Sequence, residues 1–224
     1  MINVLMPMAG DGKRLKKYFD VPKPLVKLND KFMFEVAAGK DTDAHYIFIV
    51  KDEHINKYQI DKIIKSKYDN CSIVVQYESA KGPLISSLLA KDIIDNETPL
   101  LIKDCDMYSN INISEYLNNN CDGGIATFYN NKKSYSYVKS NNFLIVEVKE
   151  KQIISNNAVA GSFFWKNGSD FIKYGLASIS LNQAVNNEFY IAPVFNIAIN
   201  DGKKIKEHRS SECYDLESIS KVLI

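Results

Sequence analysis

Gly10 and Gly12, with Arg14 close behind and Lys23 inside Pro22-Lys23-Pro24-Leu25, are matched to one chemistry, the holding of a polyphosphate. Glycines let a backbone turn tightly and bring its amides against an anion. Arg14 adds a planar fork of donors and Lys23 a mobile point charge, two different ways of meeting phosphate oxygens. The cradle is of neither familiar type: the third glycine of the dinucleotide fingerprint is missing, and no Gly-x-x-x-x-Gly-Lys-Ser/Thr string occurs. A short strand, Ile2 to Met6, ending in a tight turn with a solvated basic face is the plainer alternative for the same residues.

Asp104-Cys105-Asp106 is the second chemical group. It follows an apolar run, and in open α/β sheets ligands bind beyond the carboxyl ends of strands. Two carboxylates at such a place suit Mg²⁺, which takes one or two of them plus substrate phosphate oxygens. Acids that merely end a strand and cap the next turn are the bland alternative.

Cations and carboxylates so distant in sequence need a sheet to bring them together. Lys31 to Gly39 reads as a short helix, His45 to Val50 as a buried strand, and Asp52 to Lys67 as a helix with Ile60, Ile63 and Ile64 on one face. Cys71 to Gln76 is strand-like, Pro83 to Ile94 puts Leu84, Ile85, Leu88 and Leu89 at helical spacing, and Pro99 to Lys103 is a further strand. Such alternation predicts a mostly parallel sheet with helices on its faces. The second half is different: Gly124 to Tyr129, Ser136 to Lys139, Phe143 to Val148 and Val159 to Trp165 are strand-like with little helix between them, and a helical stretch with Ile191, Val194 and Phe195 follows. With no linker or repeat, the 224 residues predict a single domain.

Pro7-Met8-Ala9-Gly10-x-Gly12-x-Arg14-Leu15 followed by Pro22-Lys23-Pro24-Leu25-Val26 resembles the signature of the nucleotidyltransferases that activate sugar 1-phosphates and similar phosphorylated small molecules, with Lys13 where many members carry Ser or Thr. The resemblance implies an α/β, Rossmann-like (GT-A-like), mostly parallel mixed sheet flanked by helices, with a nucleotide half over about 1–110 and an acceptor half over about 111–224. It implies an NTP held on Met8, Ala9, Gly10 and Gly12, its phosphates met by Arg14 and Lys23, and pyrophosphate released. Asp106 matches the family's Mg²⁺ carboxylate, with Asp104 beside the nucleotide. Asp215 is the candidate for a second metal carboxylate, although Cys213-Tyr214-Asp215-Leu216-Glu217-Ser218 departs from the usual Asp-Thr-Gly or Leu-Gly-Thr forms. Asp215 as the N-cap of a helix from Leu216 to Val222 is the other reading. Gln76, Lys81 and Gly82 fall at the base-recognition places, although Gly82 before Pro83 is also an ordinary helix start.

On the acceptor side, Val146 to Lys151 and then Asn157 to Gly161 resemble the family's Glu-Lys segment and its Asn-x-Ala-x-x-Gly strand. The match implies Lys151 against the acceptor phosphate and Gly161 close to the acceptor; an alternating charge run on a solvated strand end is the alternative. Asn187 to Asn196 resembles a Glu-x-Tyr-x-x-x-Pro-x-Tyr/Phe-Asn segment of small capsule-associated members, implying Glu188 and Tyr190 at the acceptor and Asn196 as a polar contact. A core helix with Glu188 in its first turn is the competing reading.

Bulk properties exclude other partners. Lys plus Arg number 28 against 27 Asp plus Glu, so no global field draws in nucleic acid or an anionic membrane. Cys71, Cys105, Cys121 and Cys213 form no Cys-x-x-Cys pair, against a zinc site and against a secreted disulfide framework. The apolar N-terminus is too short for a signal-peptide core, and the expected location is cytoplasmic, as a monomer or homodimer.

The expected reaction is Mg²⁺-dependent attack of an acceptor phosphate oxygen on the α-phosphorus of an NTP, with CTP favoured over UTP and dTTP. The chain's brevity and the Glu188 to Asn196 segment tilt the acceptor toward a capsule or surface-glycan precursor such as phosphoglutamine or phosphocholine, beside sugar 1-phosphates. A metal-dependent glycosyltransferase using Asp104-Cys105-Asp106, and a non-catalytic nucleotide sensor, are the alternatives from other classes.

Overall fold

Ile2–Pro7 (β1) is apolar at nearly every position and buried on both faces, the character of a central strand. The computed structural model describes residues 1–13, 15–118 and 120–221. After β1 and the glycine loop come a short 3₁₀ turn (Lys23–Leu25), a hairpin of β2 (Lys27–Leu28) and β3 (Lys31–Phe32), and α1 (Met33–Ala38). Next are β4 (Ala44–Lys51), α2 (Asp52–Tyr58), α3 (Ile60–Lys67), β5 (Cys71–Gln76), α4 (Pro83–Leu88), α5 (Lys91–Ile94) and β6 (Leu100–Lys103). The expected helix over Asp52 to Lys67 is two helices, because Gln59 takes a left-handed φ of 52° between them. The expected Pro83 to Ile94 helix likewise divides at Leu89 and Ala90.

The remaining elements are β7 (Met107–Ser109), α6 (Ile113–Leu117), β8 (Gly123–Tyr129), β9 (Tyr137–Asn141), β10 (Leu144–Lys149) and β11 (Asn157–Trp165). They are followed by α7 (Gly168–Ser180), α8 (Val194–Asn200), β12 (Ile205–Arg209), β13 (Cys213–Asp215) and α9 (Leu216–Ser220). Nine strands form one sheet in the order β5-β4-β1-β6-β11-β8-β12-β10-β9. The β5-β4-β1-β6 half is parallel, and β11 joins it antiparallel to β6. Strand β12 runs parallel to β8, while β9, β10 and β11 pair antiparallel with their neighbours. Outside this sheet β13 pairs with β7, setting Asp215 opposite Met107.

Alternation along β1 divides the core between the two faces of the sheet. Leu5 packs with Ile47, Trp165, Phe171 and Phe195 under α7 and α8, whereas Val4 and Met6 pack with Phe34, Phe48 and Ile64 under α1 and α3. Helix α7 was not predicted from the sequence. Its Gly168 and Gly175 weaken a helical pattern, but each is a site of close approach: a Cβ at Gly168 would lie 2.0 Å from the Ile94 carbonyl oxygen, and one at Gly175 would lie 3.2 Å from Leu84. Among the described residues no helix is long and apolar enough to cross a membrane.

Candidate active site

From β1 the chain winds through β4 to β5, then returns to the other side of β1 with β6. Open parallel sheets bind ligands at such a reversal, outside the carboxyl ends of the strands. Both chemical motifs converge there, since the glycine loop leaves β1 and Asp104-Cys105-Asp106 leaves β6.

Two cavities adjoin at this edge. One, of about 380 Å³, is lined by Ala9, Gly10, Gly12 and Lys13 of the loop and by Gln76, Gly82 and Ser86. The other, of about 630 Å³, is lined by Asp104, Asp106, Tyr135, Glu150, Lys151, Tyr190 and Asp215. Lys23, Pro83, Glu188 and Glu217 line both.

Lys23 is the hinge of the arrangement. Its Nζ donates to Asp106 Oδ2 at 2.6 Å and to Glu217 Oε2 at 3.4 Å. Burial works against the ammonium charge, but Asp106, aided by Cys105 and Glu217, outweighs it and holds the Lys23 pKa above the ordinary lysine value. Lys23 is therefore a fixed cation. Burial, reinforced by the neighbouring Asp106 charge, raises the Asp104 carboxyl well above its usual range. The same two causes push the Cys105 thiol up to about 12, which removes it as a nucleophile.

The glycine loop is pinned from the side. Asp11 Oδ1 accepts from Lys51 Nζ at 2.5 Å at the end of β4, an interaction that lowers the Asp11 pKa and raises that of Lys51. Gly12 has φ 57°, and a Cβ there would lie 3.3 Å from the Lys23 Cβ, so the loop folds directly onto the lysine. Across the smaller cavity, Ser86 Oγ donates to Gln76 Oε1 at 2.7 Å and orients its carboxamide.

Gly82 couples the two cavities. Its φ is 102°, and a Cβ would lie 2.4 Å from the Phe189 carbonyl oxygen. Phe189 N donates to Lys81 O at 2.8 Å and Leu84 N donates to Phe189 O at 3.0 Å, which docks the segment carrying Glu188 and Tyr190 onto the start of α4. In the larger cavity the Lys151 ammonium donates to the Tyr190 hydroxyl and sits 4.4 Å from the ring centroid, while that hydroxyl donates to Glu188. Burial raises the Glu150 carboxyl, which accepts from the Ser136 hydroxyl. Burial and the Asp215 charge push the Tyr135 phenol up to about 12.

Gly161 backs this wall at the register shift of β11, between Val159 and Phe163. At φ 64° its carbonyl accepts from Asp104 N at 2.8 Å, and a Cβ would lie 2.9 Å from Asp104 Oδ2. Asp215 is the N-cap of α9, its carboxylate accepting from Ser218 N at 3.0 Å and Ser218 Oγ at 2.7 Å, and it also lines the larger cavity. Asp106 and Asp215 are hard oxygen donors of the type Mg²⁺ takes. Among the described residues no group of three or more His, Cys, Asp or Glu side chains forms a metal cage. That donor set suits an ion completed by substrate phosphates and water.

Several sequence expectations need correction. The Met8 side chain is 2% exposed and belongs to the core, its backbone N donates to Ile49 O at 3.0 Å, and it lines neither cavity. Lys81 is exposed and lines neither cavity, although its carbonyl docks Phe189. Asn196 is spent on β10, accepting from Val148 N at 2.9 Å and donating to Val148 O at 2.8 Å. Glu188 and Tyr190 precede α8 in irregular chain and are not in a helical first turn. Arg14 and Val222 lie outside the described residues. Glu217, Glu150 and Tyr135 line the site without having been singled out from the sequence. Glu217 lies two residues beyond Asp215, in the first turn of α9, and that proximity was its only signal.

No family model matches the sequence, and no curated protein matches it significantly. Solved structures do match. A nucleoside-diphosphate-sugar pyrophosphorylase from Vibrio cholerae RC9 is 18% identical, with a TM-score of 0.78 over 93% of this chain and 91% of that one. An inositol-1-phosphate CTP transferase from T. maritima is 14% identical, with a TM-score of 0.76 over 100% and 95%. A UDP-glucose pyrophosphorylase complexed with UDP-glucose is 18% identical, with a TM-score of 0.76 over 100% and 98%. At these identities the likeness is one of architecture, and the chain has the mixed α/β, GT-A-like fold of sugar-phosphate nucleotidyltransferase structures.

Proposed function

We propose that the protein is a Mg²⁺-dependent nucleotidyltransferase that joins an NTP to a phosphorylated small molecule, giving an NDP-linked product and pyrophosphate. The observation that carries this reading is the pair of adjoining cavities sharing Lys23 and Glu217, one walled by the glycine loop and the other by Lys151, Tyr190 and Tyr135. Two substrates seated in them meet at Lys23.

In this reading the NTP occupies the smaller cavity, its phosphates against the loop amides, Lys23 and Arg14, and the acceptor phosphate lies near Lys151. An acceptor phosphate oxygen attacks the α-phosphorus in line, and the bond to the pyrophosphate leaving group breaks. A phosphate monoester is largely ionised near neutral pH, so no protein nucleophile or base is needed, and the residues contribute position and charge. Mg²⁺, when bound at Asp106 and Asp215, would supply charge neutralisation for the phosphates. The Lys23 ammonium, held close to Asp106, is oriented before substrate arrives.

The nucleotide proposed is CTP, ahead of UTP and dTTP; the structural neighbours include enzymes named for each of the three bases. For the acceptor we propose a capsule or surface-glycan precursor of the sugar 1-phosphate, phosphoglutamine or phosphocholine type. Tyr135, Tyr190, Glu150 and Glu188 in the larger cavity favour an acceptor whose body carries hydroxyl or cationic groups. The test is pyrophosphate release with Mg²⁺ over a grid of CTP, UTP, dTTP, ATP and GTP against glucose 1-phosphate, phosphocholine, phosphoglutamine and glycerol phosphate. Release requiring one NTP and one acceptor supports the assignment. Nucleotide binding with no release across the grid counts against it.

A further inference from the structure

The other face of β6 carries a charged side chain that the proposed reaction does not use. Lys103 precedes Asp104 and, like Leu101 two residues before it, turns toward α1. It is 5% exposed. Its Nζ donates to Ala38 O at 3.3 Å, and among the described residues no carboxylate pairs with it. A buried ammonium with one long hydrogen bond leaves donors unsatisfied, an arrangement proteins seldom keep without a partner.

Lys103 lines a cavity of about 690 Å³ that is separate from the two at the proposed active site and shares no lining residue with them. Val36, Tyr108, Ile111 and Ile113, each partly exposed, give it apolar surface, and Asn110, Asn112 and Ser114 a polar rim. Lys40 and Asp41, also on its lining, offset one another in charge and leave Lys103 as the net cation. We propose that this cavity is a second ligand site, which takes a small organic monocarboxylate with its carboxylate on Lys103 and its body along Val36 and Tyr108. A single negative charge matches the single buried ammonium, whereas a phosphate dianion would leave excess charge out of water. The organic body is required by the apolar wall, which a bare inorganic anion leaves wet. Because Lys103 and Asp104 are consecutive and line different cavities, the ligand grips the strand end that leads into the proposed metal carboxylate Asp106.

The test is thermal unfolding at pH 7 and constant ionic strength with acetate, benzoate or gluconate against chloride, with methyl phosphate as the dianion comparison. The wild type, Lys103→Met and Val36→Trp are compared, the last narrowing the cavity while keeping the lysine. The expected result is a concentration-dependent rise in Tm with at least one carboxylate, weakened at least tenfold in apparent affinity by both substitutions. The Tm response to CTP with Mg²⁺ should persist in both variants. Lys103→Met removes an uncompensated buried charge and is expected to fold; should it not, Val36→Trp alone decides. No response of the wild type to any carboxylate, an equal response of the folded variants, or a response to methyl phosphate alone overturns the proposal.

Discussion

The ammonium of Lys23 lies 2.6 Å from the carboxylate of Asp106 across 83 residues of sequence. One comes from the turn that follows the glycine loop and the other from the end of β6, so the contact closes the crevice between β1 and β6. Each residue holds the other in the position the proposed reaction needs.

Asp106→Ala is therefore expected to abolish pyrophosphate release, and Lys23→Met to lower kcat by about 10²- to 10³-fold, the loss typical of one preorganised charge. Chelation by EDTA should silence the wild type, and added Mg²⁺ should restore it. Turnover close to wild type in Asp106→Ala would show that this carboxylate does not hold the metal.

Gly82→Ala adds a Cβ 2.4 Å from the Phe189 carbonyl oxygen at a φ of 102°. Neither the backbone conformation nor the space admits it, and the expected cost is roughly 1–3 kcal/mol of stability. Urea denaturation should record that loss. KM should rise for both substrates, because Glu188 lines both cavities. A variant with unchanged stability and unchanged kinetics would refute the coupling.

Tyr190→Phe removes the hydroxyl between Lys151 and Glu188 and keeps the ring under the ammonium. A lost hydrogen bond to a charged group is worth about 1.5–3 kcal/mol. The acceptor KM should rise by about 10- to 100-fold, the corresponding factor, and the NTP KM by clearly less, since it is touched only through Glu188. An effect confined to the nucleotide would reverse the assignment of the two cavities.

His208 supplies a pH dependence. Burial, with Lys206 adding, pushes its imidazole down to about 4, packed 3.9 Å between centroids from the Tyr116 ring. The unfolded chain binds a proton near pH 6.5 that the folded chain refuses until about pH 4, so stability falls as pH drops through that interval. Burial lowers His45 and His54 as well, which gives the wild type further acid sensitivity of the same sign. His208→Gln should flatten the fall in Tm between pH 6.5 and pH 4.5 relative to wild type. Parallel curves for the two proteins would remove His208 as a cause.

Contiguous signals made the centre of the site legible in the sequence. Gly10, Gly12 and Asp106 sit in short strings after strand ends and Lys23 in the Pro-Lys-Pro turn, where residue type and neighbours together suggested the proposed chemistry. Glu217 and Tyr135 reach the same cavity through the β13–β7 pairing and an irregular stretch, neither of which leaves a periodic trace. Helix α7 escaped because its glycines, read as weak points, mark contact with Ile94 and Leu84. The break at Gln59 was equally hidden, since a left-handed residue there is neither glycine nor asparagine. Asn196 showed the reverse error, a polar residue in a suggestive string whose bonds all go to the β10 backbone.

Glu217 reaches Lys23 from 194 positions further along the chain. At about 5–20 residues per second of synthesis, roughly 10 to 40 seconds elapse after Lys23 is made before Glu217 follows it. During that interval the nascent chain can form the β1-β4-β5 layer while its crevice still lacks one wall. The wall that Glu217 supplies is thus among the last parts of the crevice to be synthesised.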